Sequence, residues 1–305
     1  MQMPLIASPL NYTGGKFRLL PQILPLFPKN INTFIDLFCG GCNVGLNVKS
    51  KKTIYNDINI KLYDLYNFFK KMDSENILKQ IYKIIEKYDL SIVSKYGYEF
   101  YKCDSSKGLS KYNKNGYLKL RNDFNTENNT SFDYYIMFYV MIVYAFNNQI
   151  RFNSKGNFNL PVGKRDFNTK MEQKLINFIE RIQEQNCYFS CIDFRNFNIQ
   201  NLEKNDFVYI DPPYLITCAT YNENSSWNEN DEKDLLDFLE KLDNQNIRFA
   251  LSNVLSSKGK TNEILKHWLK NKKYKVHHLK HKYSNSNYQI KDKNFTSDEV
   301  LIINY

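Results

Sequence analysis

The chain has 305 residues, with 42 Lys and Arg against 32 Asp and Glu, and a formal net charge of +10. Aromatic residues make up 15% of the chain, which excludes an intrinsically disordered protein. No apolar run reaches membrane length and no apolar targeting segment opens the sequence, so we expect a soluble, cytoplasmic protein. The positive excess fits binding to an acidic polymer such as nucleic acid, although a lysine-rich solvated surface would give the same charge.

The first third of the chain alternates short apolar runs with turns. The stretch TFIDLFCGGCNVGLN (33–47) predicts a buried strand, a glycine turn and the start of a helix. A second short strand is predicted over 51–59. Apolar residues at helical spacing over 61–88 predict two helices that break near Asp73 and Ser74. Residues 95–132 are polar, and we expect 97–116 to form an extra basic surface segment.

The next elements begin with a strongly apolar helix over 134–146. In NNQIRFNSKGNFNLPVGKR (147–165), turn signals at Ser154–Gly156 separate two β-like runs, which predicts a basic hairpin. The rest of the chain alternates predicted helices over 171–185, 231–242 and 262–272 with predicted strands over 206–213, 247–253, 274–283 and 298–305. We expect the last two strands to close the sheet as antiparallel edge strands.

This alternation predicts an α/β fold, in which ligands bind at the carboxyl ends of the strands. Residues 1–58 and 167–305 would form the α/β domain, and 59–166 a mostly helical insertion. A metal site is not expected. Cys39 and Cys42 have zinc-like spacing, but no second pair follows at finger spacing and the four histidines come late, so the ligand set is incomplete.

Two glycine-containing stretches indicate ligand binding. Phe38, Gly40 and Gly41 follow a strand, where a backbone without side chains lets a ligand approach, and Asp57 ends the next strand, where a carboxylate can hold ribose hydroxyls. Alone, this pattern also fits a plain tight turn or a dinucleotide fold. The run LNYTGGKFRLL (10–20) places Gly14, Gly15 and Lys16 before a helix start, which fits a solvated turn or an anion site.

The most informative stretch is YIDPPYL (209–215), which follows a predicted buried strand. An exocyclic amine of a nucleobase is a poor nucleophile, because its lone pair is delocalised into the ring. The carboxylate of Asp211 and the carbonyl of Pro212 can accept its two N–H groups and free the lone pair for attack. The two prolines, with Pro213, hold these acceptors rigidly, and Tyr214 offers an aromatic face to a base taken out of its stack.

Four motifs in this order resemble the Dam family of site-specific DNA adenine-N6 methyltransferases, the T-even phage enzymes above all: Tyr12-Thr-Gly-Gly-Lys16, Asp36-Leu-Phe38-Cys-Gly40-Gly41, Asn56-Asp57-Ile-Asn59 and Asp211-Pro-Pro-Tyr214. The resemblance covers nearly the whole chain. It implies a Rossmann-like, S-adenosylmethionine-dependent methyltransferase sheet of seven strands with the last one antiparallel. It further implies that 59–166 is a DNA target-recognition domain bearing the hairpin, and that the enzyme is a monomer in a bacterial or phage-infected cell.

The family also implies a role for each motif residue. The catalytic residues would be Asp211, Pro212, Pro213 and Tyr214. The cofactor S-adenosylmethionine would be bound by Tyr12, Lys16, Phe38, Gly40, Gly41, Asp57 and Asp211.

Double-stranded DNA would be the partner, with GATC as the target. By resemblance, the DNA contacts would come from Phe146, Asn147, Gln149, Arg151, Asn153, Pro161 and Arg165. The first three are expected to fill the gap left by the flipped adenine. Either arginine can contact guanine O6 and N7, and Arg165 is the expected guanine reader. Asn11 stands where some cellular relatives place a base-contacting lysine, which removes one contact.

Other functions fit the sequence less well. A cytosine-N4 enzyme usually carries Ser at position 211, and an RNA substrate suits a two-arginine hairpin poorly. A DNA-binding module without catalysis should have a decayed tetrapeptide, and a nicotinamide dehydrogenase would leave Asp211–Tyr214 without a role. A restriction-modification system, a phage and a chromosomal regulator all stay open as the biological setting.

Overall fold

The computed structural model describes residues 4–127, 131–217, 227–280 and 297–305. The chain forms two compact units. The first consists of Met1–Gly15 and Lys61–Gln185, and the second of Lys16–Ile60 and Asn186–Tyr305. The second unit contains the sheet, and the first is built from helices and a long irregular segment.

Within the described residues, eight strands form one mixed sheet: β1 (Thr33–Asp36), β2 (Lys52–Asn56), β3 (Cys187–Ser190), β4 (Phe207–Ile210), β5 (Arg248–Ser257), β6 (Lys260–Thr261), β7 (Lys275–Leu279) and β8 (Asp298–Ile303). Their order is β3-β2-β1-β4-β5-β8-β7, with the two-residue β6 paired to the end of β5. Strands β1 to β5 are parallel, and β8 is antiparallel to both β5 and β7. The predicted α/β fold class with an antiparallel last strand is therefore confirmed.

The last strand does not lie where the sequence analysis put it. We expected 298–305 at an edge, but β8 is inserted between β5 and β7, and β7 forms the edge. Val300, Leu301 and Ile302 are all fully buried, which is typical of a strand with both faces covered. Such an apolar run does not specify the in-sheet neighbours, and pairing with both β5 and β7 satisfies the backbone of β8 on its two sides. Residues 281–283 of the predicted strand 274–283 lie outside the described part of the chain.

Alternating side chains of the central strands supply two cores. Ile35, Val208 and Ile210 face one way and pack with Leu235 and Leu239 of a helix. The intervening residues Phe34, Phe207 and Tyr209 face the other way and pack with Leu20 and Ile23. This period of two explains why β1 and β4 are apolar at successive positions, since each face of the sheet is covered.

The helices are α1 (Leu20–Ile23), α2 (Ile60–Lys71), α3 (Ser74–Lys87), α4 (Val93–Phe100), α5 (Ser110–Thr126), α6 (Phe132–Tyr144), α7 (Thr169–Glu184), α8 (Glu229–Asn244) and α9 (Glu263–Lys270). In the first unit, α6 buries every residue from Ile136 to Tyr144 and packs against α3 and α5. The predicted break between α2 and α3 is confirmed, because the Asp73 carboxylate caps α3 by accepting from Asn76 N–H.

Three local predictions need comment. Residues 97–116 are mostly exposed, as expected of a surface segment, but about half of them are helical, in α4 and α5, with Gly97 at φ 75° as a kink. The helix start predicted near 47 is a single 3-10 turn over Gly45–Asn47. The hairpin over 147–165 consists of two isolated antiparallel bridges, Ala145 with Val162 and Phe152 with Phe158, rather than two strands.

A buried carboxylate ties α8 to the end of β5. Glu232 is fully buried and accepts hydrogen bonds from Trp227 Nε1 (2.7 Å), Asn253 Nδ2 (3.2 Å) and Asn262 Nδ2 (2.7 Å). A buried carboxylate without hydrogen-bond donors would cost free energy, and these three donors compensate that cost.

We expect Glu232→Ala to lower the free energy of unfolding by about 3 kcal/mol or more, because three donors lose a buried acceptor. Urea denaturation measures this loss. The matched control is Glu229→Ala, since Glu229 is exposed in the first turn of the same helix and should cost about 0.3–1 kcal/mol. Equal denaturation midpoints for the two variants would contradict this account of the network.

Candidate active site

Three aspartates lie where parallel strands of the second unit end. Asp36 is the last residue of β1, Asp57 follows β2 and Asp211 follows β4. Because the carboxyl ends of parallel strands meet at one edge of a sheet, these side chains share that edge. The antiparallel β8 begins at the same edge, which brings Glu299 to it.

The predicted catalytic Asp211 lies in a cluster of charged and polar groups. Lys16 Nζ is 3.0 Å from Asp211 Oδ1 and 3.5 Å from Glu299 Oε1. The Tyr214 hydroxyl donates to the same two oxygens, at 2.8 Å and 3.3 Å. The side chains of Lys16 and Glu299 are 3% and 2% exposed, against 17% for Asp211. The cluster is therefore nearly dry, with Asp211 as its most accessible carboxylate.

The two carboxylate oxygens of Asp211 differ in their partners. Oδ1 is contacted by Lys16 Nζ and the Tyr214 hydroxyl, whereas no donor in the described ranges contacts Oδ2. The carbonyl of Pro212 likewise accepts no hydrogen bond from the described residues. Pro212 is buried and Pro213 is exposed. The tetrapeptide thus combines a fixed carboxylate with two acceptor atoms that remain available.

The glycine loop and Asp57 hold each other in place. Asp57 Oδ2 accepts from Gly40 N–H and Oδ1 accepts from Asn59 N–H, both at 2.9 Å. Gly40 has φ 45°, a left-handed conformation that favours glycine. Each carboxylate oxygen of Asp57 makes one of these bonds, so lone pairs remain for a ligand hydroxyl. Gly41 is buried beside Gly40.

Phe38 lies on the same loop with part of its ring exposed. Its ring centroid is 5.4 Å from that of Phe194 and 5.9 Å from that of Trp227. The three rings form an aromatic cluster next to the glycine turn. This places a partly exposed aromatic face beside the Asp57 carboxylate and the Gly40 backbone, which suits a nucleoside-like ligand.

Burial changes the acidity of the aspartates. Burial raises the pKa of Asp36 to about 8, a hydrogen bond from Gly45 N–H (3.0 Å) opposes this, and the charges of Asp211 and Asp57 add to it. Burial also raises the pKa of Asp211, against the lowering effect of Lys16 and of the Tyr214 hydrogen bond. Asp57 has a raised pKa for the same reason. Burial is the largest cause of all three shifts, so the site weakens the acidity of these carboxyl groups mainly by excluding water.

The predicted DNA-contacting residues lie in the first unit, in the segment that follows α6. Phe146 is 47% exposed, which is unusual for a large aromatic side chain. Asn147 beside it has φ 54° and is exposed. Phe146 N–H donates to Pro161 O (2.8 Å), so the two predicted contacts belong to one folded loop. Gln149 is exposed in the same loop.

The two arginines differ in their surroundings. Arg151 Nε and Nη2 donate to Asn159 Oδ1 and O, at 2.7 Å and 3.3 Å, so the guanidinium is held against the segment that carries it. Asn153 accepts backbone hydrogen bonds from Lys155 and Asn157, which closes the turn between the two bridges.

Arg165 is exposed and lines a cavity of about 290 Å³ at the beginning of α7. Two further basic residues, Lys170 and Lys174, line the same cavity, and so does Asn11. The Asn11 side chain donates to Asn147 O at 2.9 Å. The cavity is therefore basic and adjoins the loop of predicted DNA contacts within the first unit.

The structure brings most, but not all, predicted site residues together. Lys16, Asp211 and Tyr214 form one cluster, and Phe38, Gly40 and Asp57 another, both in the second unit. Tyr12 belongs to the first unit, in a turn closed by Gly15 N–H donating to Tyr12 O (3.1 Å). Glu299 was not among the predicted site residues, and its one signal in the sequence is its place directly before the apolar run of β8. Phe194 and Trp227 were not predicted either.

No helix in the described ranges is long and apolar enough to cross a membrane. Within those ranges, no group of three or more His, Cys, Asp or Glu side chains is placed to hold a metal ion. Among the cysteines that the structure describes, Cys39, Cys42 and Cys187 are buried.

The mixed sheet with an inserted antiparallel last strand, the glycine loop and the Asp-Pro-Pro-Tyr turn together define an α/β protein of the methyltransferase class. A family model described as D12 class N6 adenine-specific DNA methyltransferase matches residues 12–285. The chain belongs to this family.

Curated relatives divide into two groups. The chain is 42% identical to the modification methylase StsI of Streptococcus sanguinis and to the type II methyltransferase M.FokI of Planomicrobium okeanokoites, in each case over 98% of the chain and 43% of the relative. It is 27% identical to a DNA adenine methylase of Salmonella typhi over 80% of the chain and 79% of that protein. The chain thus spans less than half the length of the first two relatives.

Asp36 gives a test of the site's electrostatics. Its pKa is higher in the folded chain than the ordinary value of 3.8, so the folded state binds the proton more tightly and stability falls as pH rises from 3.8 to about 8. Asp36→Asn keeps an acceptor for Gly45 N–H and removes the charge. We expect the variant to be more stable than the wild type at pH 8, by on the order of a few kcal/mol, and similar at pH 4.

Urea denaturation at both pH values measures this difference. Asp237→Asn, at an exposed position of α8, is the control and should leave the pH dependence unchanged. An Asp36→Asn variant with the same pH dependence as the wild type would refute the assignment of a buried, proton-binding Asp36.

Proposed function

We propose that this chain is a site-specific DNA methyltransferase that methylates N6 of an adenine flipped out of double-stranded DNA. The observation that carries the proposal is the prepared acceptor pair. Asp211 Oδ1 is fixed by Lys16 and Tyr214, while Oδ2 and the Pro212 carbonyl are available to two N–H groups. Family membership supports adenine as the base.

The tetrapeptide would activate the amine in a defined way. Asp211 Oδ2 and Pro212 O accept its two N–H groups and draw the nitrogen toward tetrahedral geometry, which frees the lone pair. Pro212 and Pro213 keep the acceptors from moving, so little reorganisation is needed during attack. Tyr214 offers its ring to the flipped base, with Lys16 Nζ 4.9 Å from the ring centroid.

S-adenosylmethionine, when bound, supplies an electrophilic methyl group on a sulfonium. The residues of the second unit fit such a ligand. Asp57 retains lone pairs for ribose hydroxyls, and Phe38 offers a partly exposed aromatic face next to the open backbone of Gly40 and Gly41. Roles for Tyr12 and Lys16 in binding it rest on the resemblance of their motif.

DNA would be bound by the first unit. Phe146 and its neighbours Asn147 and Gln149 would fill the space of the flipped base. Arg165 would read guanine from the edge of its basic cavity, where Lys170 and Lys174 suit phosphates. We assign Arg151, Asn153 and Pro161 to the same interface, and propose that the enzyme acts as a monomer.

The target and the biological role rest on the relatives. GATC follows from resemblance to the Dam family. The higher identity to StsI and M.FokI, 42% against 27% for a DNA adenine methylase, supports a modification enzyme of a restriction system. In that role the enzyme would protect host DNA.

The test is to express the chain in a host without DNA methylation and to map modified bases in its genome by single-molecule sequencing. N6-methyladenine at GATC would support the whole proposal. N6-methyladenine at another motif would keep the reaction and replace the target. N4-methylcytosine, or no modification by soluble protein, would refute the proposed reaction.

We expect Asp211→Ala to abolish this methylation, with kcat lower by about 100-fold or more, because the amine loses a prepared acceptor. DNA binding should stay mostly intact, since the proposed DNA contacts lie in the other unit. Methylation assays and gel-shift titrations of the same preparation measure both. Retained activity would remove the acceptor argument.

We expect Arg165→Ala and Lys174→Ala to differ, although both residues line one cavity. Arg165→Ala should relax sequence choice, with a loss of about 1–3 kcal/mol of discrimination at one base pair. Lys174→Ala should weaken binding to all sequences alike and reduce the salt slope by about one. Titrations of target and scrambled duplexes at several salt concentrations separate the two, and a uniform loss for Arg165→Ala would make Arg165 a phosphate contact.

A further inference from the structure

Glu299 is a buried acid that directly precedes the apolar run of β8. Its neighbours in β8, Val300 to Ile303, are buried apolar residues, and the Glu299 side chain itself is 2% exposed. A carboxylate in such a place costs free energy unless it is paired. Strand pairing determines where it lies, because β8 runs antiparallel to β5 and begins at the edge where β4 ends.

Glu299 shares two polar partners with Asp211. Lys16 Nζ lies 3.0 Å from Asp211 Oδ1 and 3.5 Å from Glu299 Oε1. The Tyr214 hydroxyl lies 2.8 Å from the first oxygen and 3.3 Å from the second. The Lys16 ammonium and the Tyr214 hydroxyl each contact one carboxylate oxygen of Asp211 and one of Glu299, and on Asp211 both contact Oδ1. This arrangement fixes the rotation of the Asp211 carboxylate and leaves Oδ2 as its accessible oxygen.

Glu299 also changes the charge of the cluster. Without Glu299, the Lys16 ammonium and the Asp211 carboxylate would form a pair with no net formal charge. Glu299 adds a second carboxylate, so the three side chains carry a net formal charge of one negative unit. In methyl transfer to an amine, the attacking nitrogen gains positive charge while its bond to carbon forms. A fixed negative charge in a nearly dry site stabilises that nitrogen more than it would in water.

We propose that Glu299 is a positioning residue for amine activation: it holds Lys16 and Tyr214 on Asp211 Oδ1 and gives the cluster its net negative charge. This inference rests on the proposed function. It goes beyond that function by assigning a role to a residue outside the Asp-Pro-Pro-Tyr motif, 88 residues after Asp211 along the chain.

Binding of the target amine can be measured without methyl transfer. Two duplexes carry the target sequence found by genome mapping, one with adenine and one with purine, which lacks the amine, at the target position. The ratio of their dissociation constants for one protein, with no methyl donor present, reports contact with the amine. Comparing this ratio between variants cancels the difference in base pairing between the two duplexes.

We expect Glu299→Gln, which keeps the shape and removes the charge, to bring this ratio close to that of Asp211→Ala. Its kcat should fall by about 10- to 100-fold, the loss typical of residues that act by orienting another group. The control is Glu232→Gln, a second fully buried glutamate that is hydrogen-bonded to Trp227, Asn253 and Asn262. It should lower stability in urea and leave the ratio at its wild-type value.

The outcomes separate a positioning role from a structural one. A Glu299→Gln protein that is destabilised like the control but keeps the wild-type ratio would overturn the inference. If that variant does not fold, Glu299→Asp carries the test, because it keeps the charge and withdraws it by one methylene. We then expect a ratio between those of the wild type and Asp211→Ala, and a wild-type ratio would again overturn the inference.

The genome map separates this inference from the proposed function. Methylated adenines in the map would support the proposed reaction. If the wild type and Asp211→Ala then gave the same ratio, Asp211 would not contact the amine, and the role of Glu299 would be overturned. An unmodified genome would refute the reaction first, and the inference with it.

Discussion

The candidate active site depends on the burial of one ammonium group against two carboxylates. Lys16 is 3% exposed, so its charge has lost nearly all contact with water. Such burial costs several kcal/mol per ion and is tolerated only where geometry and further hydrogen bonds compensate. Asp211, Glu299 and the Tyr214 hydroxyl provide that compensation. The conformation of the Asp-Pro-Pro-Tyr turn therefore cannot change without disturbing a charged cluster, and this makes the turn rigid.

The strand order of the sheet is what assembles this cluster. Lys16, Asp211 and Glu299 are far apart in the sequence, and they meet because β4 ends, and β8 begins, at one edge. An antiparallel strand next to β5 is needed, since a parallel strand would present its last residues there instead. The inserted last strand thus has a chemical consequence beyond closing the sheet. It supplies a carboxylate to an edge that the parallel strands already make acidic with Asp36, Asp57 and Asp211.

The sequence predicted the fold class and the motif residues, because these depend on local signals. Apolar runs located β1 and β4, and the Asp57 and Asp211 positions followed from the strand ends. The place of β8 could not be read from its apolar pattern, since buried edge and buried inner strands look alike. Glu299 was missed because its position depends on a long-range contact: its partner Lys16 is 283 residues away along the chain. The hairpin was overestimated, because the bridges of Phe152 and Val162 are isolated and its turns depend on side chains such as Asn153.

The two units constrain function to different degrees. In the second unit, most groups proposed for chemistry are backbone atoms or buried and half-buried side chains, so few other arrangements are open to them. In the first unit, the groups proposed for reading DNA, such as Phe146 and Arg165, are exposed and can be replaced without disturbing a core. Arg151 is the exception, because Asn159 engages two of its nitrogens. It follows that the motifs constrain the reaction far more strongly than the target sequence.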